Sequence, residues 1–150
     1  MKPIKLFTAA MVMTLMTGSA MADRITISSD ANVERSVKRL VNAVEDAGAR
    51  IFNKVDFHQG AKSQGESLRP TTVVIFGSPK IGSTALQEGQ TLGLYLPLRI
   101  LFFEDENGQT WATYDDPTGV APTHGVAEDN PAILRMNGAL EKFAALATGN

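Results

Sequence analysis

Six side chains in this sequence combine the right chemistry with settings where a ligand could meet them: His58, Arg69, Arg99, Tyr114, Asp115 and His124. Asp56 precedes His58 by two positions, so an extended strand would put the pair on one face and let the carboxylate orient the imidazole for acid–base work or metal ligation. His124 is the only other histidine. If folding joined it to Asp56 and His58, mixed nitrogen and oxygen donors would suit a divalent metal. No HExxH or His-x-x-x-His spacing accompanies them, and the competing reading is two hydrogen-bonded structural histidines. Arg69 and Arg99 each stand at the start of an apolar strand, where a guanidinium demands carboxylate or carbonyl partners. They either clamp an anionic ligand or bind Asp56, Asp115 or Asp116 internally. Tyr95 and Tyr114 pair an apolar ring with a hydroxyl and would suit the rim of a pocket.

Other chemistries are excluded or unsupported. The chain has no cysteine, which removes disulfides, thiolate catalysis, iron–sulfur clusters and thiolate zinc sites. Ser78 and Ser83 lie in glycine-containing turns without a G-x-S-x-G elbow. The segment Gly77–Thr84 offers glycines, Lys80 and hydroxyls ahead of a helix, but it has neither Walker-A nor dinucleotide spacing and is read as a turn. A net charge of −2, with 14 basic against 16 acidic residues, provides no cationic field for nucleic acid.

The elements that must position these residues follow from periodicity. Arg24–Ser28 alternates as a short strand, and Val33, Val37, Leu40, Val41, Val44 and Ala47 then fall on one helical stripe that Asn32 or Asp30 caps and Gly48 ends. Arg50–Phe57 alternates again, with Ile51, Val55 and Phe57 on one side. A polar stretch over 58–67 reads as a short helix or loop, and the β-branched run Thr71–Phe76 as a strand covered on both faces. The turn-rich segment Gly77–Thr84 opens a short helix that runs through about Glu88. Asn107-Gly108 between two strand-like runs is a hairpin signal, its acidic tip read as a solvated turn. Asn130-Pro131 opens a last helix with Ile133, Met136, Leu140, Phe143 and Ala144 inward. The expected fold is α+β, a single two-layer domain in β-α-β-β-α-β-β-α order, with helices packed on a mainly antiparallel sheet.

Residues 1–22 have the layout of a signal peptide: Lys2 and Lys5, an apolar run from Leu6 to Met16, and Ala20-Met21-Ala22 before the expected cleavage. The run is too short to span a bilayer as a helix, and no cysteine follows to carry a lipid, so no stable membrane anchor is expected after cleavage. The mature chain, 23–150, has 128 residues and a net charge of −4 once the two lysines leave. The periplasm is the expected location, with the extracellular medium second.

Asp56-Phe57-His58, Leu68-Arg69-Pro70-Thr71, Ile75-Phe76-Gly77-Ser78-Pro79, Gly82-Ser83-Thr84, Leu96-Pro97-Leu98-Arg99 and Tyr114-Asp115-Asp116-Pro117 occur in one order along the chain. Together they resemble the domain of unknown function 302 family over about residues 33–146. Ser83 between Gly82 and Thr84 departs slightly from the family form, as does Asp115 before Asp116-Pro117. The resemblance implies a compact, often exported α+β domain and carries over no established activity, cofactor or catalytic residue.

Three functions are therefore carried forward. The first is a small-molecule or anionic-ligand binding or accessory protein with no catalytic cycle of its own. The second is a metal-dependent or acid–base hydrolase using Asp56, His58 and His124. The third is a structural or homodimeric interaction module.

Overall fold

A computed structural model describes residues 24–150; the expected leader, 1–22, lies outside the described residues. Five strands, β1 (Arg24–Ser28), β2 (Arg50–Asp56), β3 (Thr71–Gly77), β4 (Leu98–Glu104) and β5 (Thr110–Asp115), form one sheet in the spatial order β1-β5-β4-β3-β2. Every neighbouring pair is antiparallel. The long helices α1 (Val33–Asp46) and α5 (Pro131–Thr148) lie side by side on one face. Shorter pieces fill the connections: α2 (Phe57–Ser63), α3 (Pro79–Glu88), α4 (Pro117–Val120) and 3₁₀ turns at Gln90–Leu94 and Ala121–His124. The expected α+β class, element order and helix-on-sheet packing are all present.

Local chemistry sets the boundaries. The Asn32 side chain accepts from the Arg35 amide to start α1, and Gly48, at φ +70°, ends it in a conformation that side-chain-bearing residues avoid. Asn130 accepts from the Ala132 and Ile133 amides and donates its own amide to Glu88, so one buried side chain starts α5 and ties it to α3. In the β4–β5 turn, Asp105 accepts from the Asn107 and Gln109 amides and from Trp111 Nε1. That carboxylate knits the hairpin together, where a merely solvated tip was expected. The Trp111 hydrogen bond, helped by the two amides, holds its carboxyl below the usual carboxylate value.

The core lies between sheet and helices, where Leu40, Val44, Val74, Phe76, Ile100, Phe102 and Ala144 are fully buried. Phe76 meets Phe143 edge to face, with centroids 5.6 Å apart. A second cluster, including Ala85, Leu92, Val126 and Ile133, sits under α3 and the 3₁₀ turns.

Two strand readings need correction. In β2 the register slips between Ile51 and Asn53, leaving Phe52 as an extra residue. Ile51 thus opposes Phe76 on the helix-covered face, while Val55 opposes Val73 on the other. Phe57 has left the strand for α2. Strand β3 is covered on one face only: Val74 and Phe76 are buried, but Val73 and Ile75 are partly exposed and belong to neither core cluster.

Candidate functional site

Antiparallel pairing sorts the six candidate residues to two ends of the sheet. Strand β3 has seven residues, so the ends are separated by about 20 Å at 3.3–3.4 Å per residue. At the first end stand Asp56, His58 and Arg69. The Asp56 carboxylate accepts from the Gln59 amide and caps α2; the His58 Nδ1–H donates to the Leu68 carbonyl; Arg69 Nε donates to the Glu104 carbonyl at 3.0 Å. All three are held by local backbone.

At the second end are Arg99, Tyr114, Asp115 and His124. Arg99 Nη2 donates to the Leu94 carbonyl at 3.2 Å, and Asp115 pairs with Arg24 Nε at 3.2 Å. His124 Nδ1 lies 3.0 Å from Thr91 Oγ1, and its ring rests 5.1 Å from that of Tyr95. Tyr114, 6% exposed, belongs to the main core. Burial, with Glu141 and Asp116 adding to it, pushes its phenol above the ordinary value. Arg99, Asp115 and Tyr95 do share a cleft, but its 40 Å³ has room for only about three waters.

The metal constellation of Asp56, His58 and His124 is therefore not assembled. The two imidazoles sit at opposite ends, against a requirement of about 2 Å from each ligand atom to a shared ion. Among the described residues no cluster of three or more His, Asp or Glu side chains could hold a metal. Neither arginine pairs with Asp56, Asp115 or Asp116; each is satisfied by a backbone carbonyl.

A concavity of 670 Å³ lies at the second end, and none of the six lines it. Its walls are the end of α1 at Ala47–Ala49, the bulged Phe52, the first turn of α3, the Leu96-Pro97-Leu98 entry to β4, and α5. Five glycines, Gly48, Gly77, Gly82, Gly93 and Gly138, keep it open, and a Cβ at Gly138 would meet nothing within 4 Å. Ile81, Leu86, Leu96, Leu98 and Phe143 make most of the lining apolar; among the described residues its charged members are Arg135 and Lys142. Ser78 and Ser83 bring hydroxyls, but among the described residues no imidazole or carboxylate lines the space to activate them. Ser78 makes no side-chain cap at the start of α3, and Ser83 Oγ donates to the Pro79 carbonyl.

Three of the motif blocks border this cavity: Phe76-Gly77-Ser78-Pro79, Gly82-Ser83 and Leu96-Pro97-Leu98. A model of the family described as "Domain of unknown function DUF302" matches residues 25–143. The chain belongs to the DUF302 family. It is also 35% identical over 125 residues to the Fluoride-specific ion channel FluC 1 of Brucella suis biovar 1, a match covering 81% of this chain and 49% of that protein. FluC 2 of Brucella melitensis biotype 1 matches at the same identity, over 81% and 46%. The chain thus spans about half the length of these curated relatives. A crystal structure of an uncharacterized conserved DUF302 protein from Bacillus stearothermophilus superposes with a TM-score of 0.66 at 17% identity, covering 84% of this chain and 95% of that one. At that identity the DUF302 fold is what the two share.

In DUF302 terms, the blocks fall into two groups. Asp56-Phe57-His58 and Leu68-Arg69-Pro70 tie off the first sheet end, and Asp116 caps α4 through the Thr118 amide and hydroxyl. The blocks Phe76-Gly77-Ser78-Pro79, Gly82-Ser83 and Leu96-Pro97-Leu98 shape the cavity.

Proposed function

We propose that this DUF302 protein is an exported ligand-binding or accessory protein, without a catalytic cycle of its own, whose ligand occupies the cavity between α3, α5 and the sheet. The cavity itself carries the reading: 670 Å³ of mostly apolar space falls within the roughly 300–1,000 Å³ typical of small-molecule sites. Apolar walls contribute about 25 cal/mol per Å² of ligand surface removed from water, and no imidazole or carboxylate stands among the described residues that line the cavity with its serines. The leader pattern in 1–22 supports export. The channel names of the half-matched relatives support an accessory role, with this fold serving beside a second module.

The test is a titration with N-phenyl-naphthylamine, a neutral fluorophore that brightens in apolar surroundings. Saturable binding to one site is expected, abolished by Gly138→Trp, which projects an indole into open space on an exposed helix face. Absence of binding, or binding indifferent to that substitution, would overturn the proposal.

A second reading, self-association, has its own support. Val73, Ile75, Leu101, Phe103 and Trp111 lie on the sheet face away from α1 and α5, partly exposed and outside both core clusters. A homodimer closing this face would sediment as twice the mature mass and be lost on Phe103→Asp; a monomer across the micromolar range would contradict it.

A further inference from the structure

The rim of the cavity carries chemical information that its apolar walls do not. Arg135, Gly138, Ala139 and Lys142 all line it, so they form the face that α5 turns toward the space. The two cations are seven residues apart, about 10 Å along the axis, with the two small residues between them. Both are exposed. The ion pairs among the described residues are Arg24–Asp115 and Arg39–Asp30, which leaves Arg135 and Lys142 without a carboxylate partner. Among the described residues no acidic side chain lines the cavity, although the mature chain carries a net negative charge. Across the mouth, the first turn of α3 faces the same space with Ser78 leaving its amides uncapped, adding positive potential from the other side.

We infer that the cavity takes an anionic amphiphile: an acyl or alkyl chain lying against Ile81, Leu96, Leu98 and Phe143, with its carboxylate or phosphate head over Gly138 between Arg135 and Lys142. This rests on the ligand-binding reading above and adds the class of ligand. An apolar body needs the walls, and a single anionic head needs a cationic gap with no side chain in it. Gly138 provides that gap, since nothing lies within 4 Å of where its Cβ would be.

Displacement of bound N-phenyl-naphthylamine by decanoate, decyl phosphate and decanol tests the inference. Each exposed cation contributes modestly, so the two together set an expected preference of about tenfold for the anions over decanol. Whichever anion competes better names the head group. The preference should fall to near unity in Arg135→Gln/Lys142→Gln while decanol competes as before, which also shows that the variant cavity is intact. Decanol competing as well as the anions, or a preference surviving the double substitution, would overturn the inference and leave the binding site standing. Loss of fluorophore binding to the unsubstituted protein would instead remove the site, and the inference with it.

Discussion

Replacing Gly89 by alanine would place a methyl carbon 2.3 Å from the His124 carbonyl oxygen and 2.7 Å from Val126 Cγ2. The backbone there, at φ −143° and ψ 94°, is open to any L residue, so the penalty is steric. The obstacle cannot swing away: one contact is backbone in the turn Ala121–His124, and the other is a valine only 1% exposed. Overpacking of this kind costs about 1–3 kcal/mol, and contact with backbone places Gly89→Ala near the top of that range. At roughly 4 °C per kcal/mol for a chain of this size, Tm should fall by about 10 °C. Gly138→Ala is the matched control. It adds the same methyl to a helix position with nothing within 4 Å, and should gain about 0.5–1 kcal/mol from helix propensity. Urea unfolding followed by circular dichroism reads both, with unchanged m-values expected. A Gly89→Ala protein within about 0.5 kcal/mol of the parent would refute the steric argument, since such a value is typical of inconsequential surface substitutions.

Asp105 provides a pH signature. Its carboxyl is held below the usual value by the Trp111 hydrogen bond, so its contribution is present above the ordinary carboxylate pKa of about 4 and is lost as pH falls through the lowered, folded-state value. Urea midpoints measured down to about pH 2 should show this acid loss, and Asp105→Asn, which keeps an acceptor for Trp111 but not the charge, should flatten it. Substituting His58 and His124 together by glutamine should leave fluorophore binding unchanged, because neither lines the cavity; an affinity loss of tenfold or more, about 1.4 kcal/mol, would return function to the histidines.

Much of the architecture was legible because it is local. The helical stripe of α1, the Asn130-Pro131 start of α5 and the Asn107-Gly108 hairpin are each specified within a few residues, and each is present. The bulge at Phe52 was not, because one extra residue in an alternating run leaves no compositional mark and shows itself only through the pairing of Ile51 with Phe76. The cavity was missed for a related reason. His58, Arg69 and Arg99 drew attention as reactive types, yet each spends its polarity on a nearby carbonyl. The cavity is built from what is small: Gly77, Gly82 and Gly138, distant in sequence and silent as chemistry, meet only when α3 and α5 pack across the end of β3. A signal did exist in Gly77-Ser78-Pro79, which read as a turn, and in Leu96-Pro97-Leu98: both also wall the space. The unpaired Arg135 and Lys142 had no signature at all, since exposed basic residues on a helix are ordinarily just solvated.

The most direct test of the account is the set of backbone amide shifts in a ¹H–¹⁵N spectrum of the full protein as N-phenyl-naphthylamine is added. Glycine amides fall in a well-separated region, and the account predicts that Gly77, Gly82, Gly93 and Gly138 move together and saturate with one another. Gly60, in α2 beside His58, and Gly108, in the β-hairpin, should stay still. Movement confined to the His58 end of the sheet, or to the open sheet face around Phe103 and Trp111, would contradict the assignment of this cavity as the binding site.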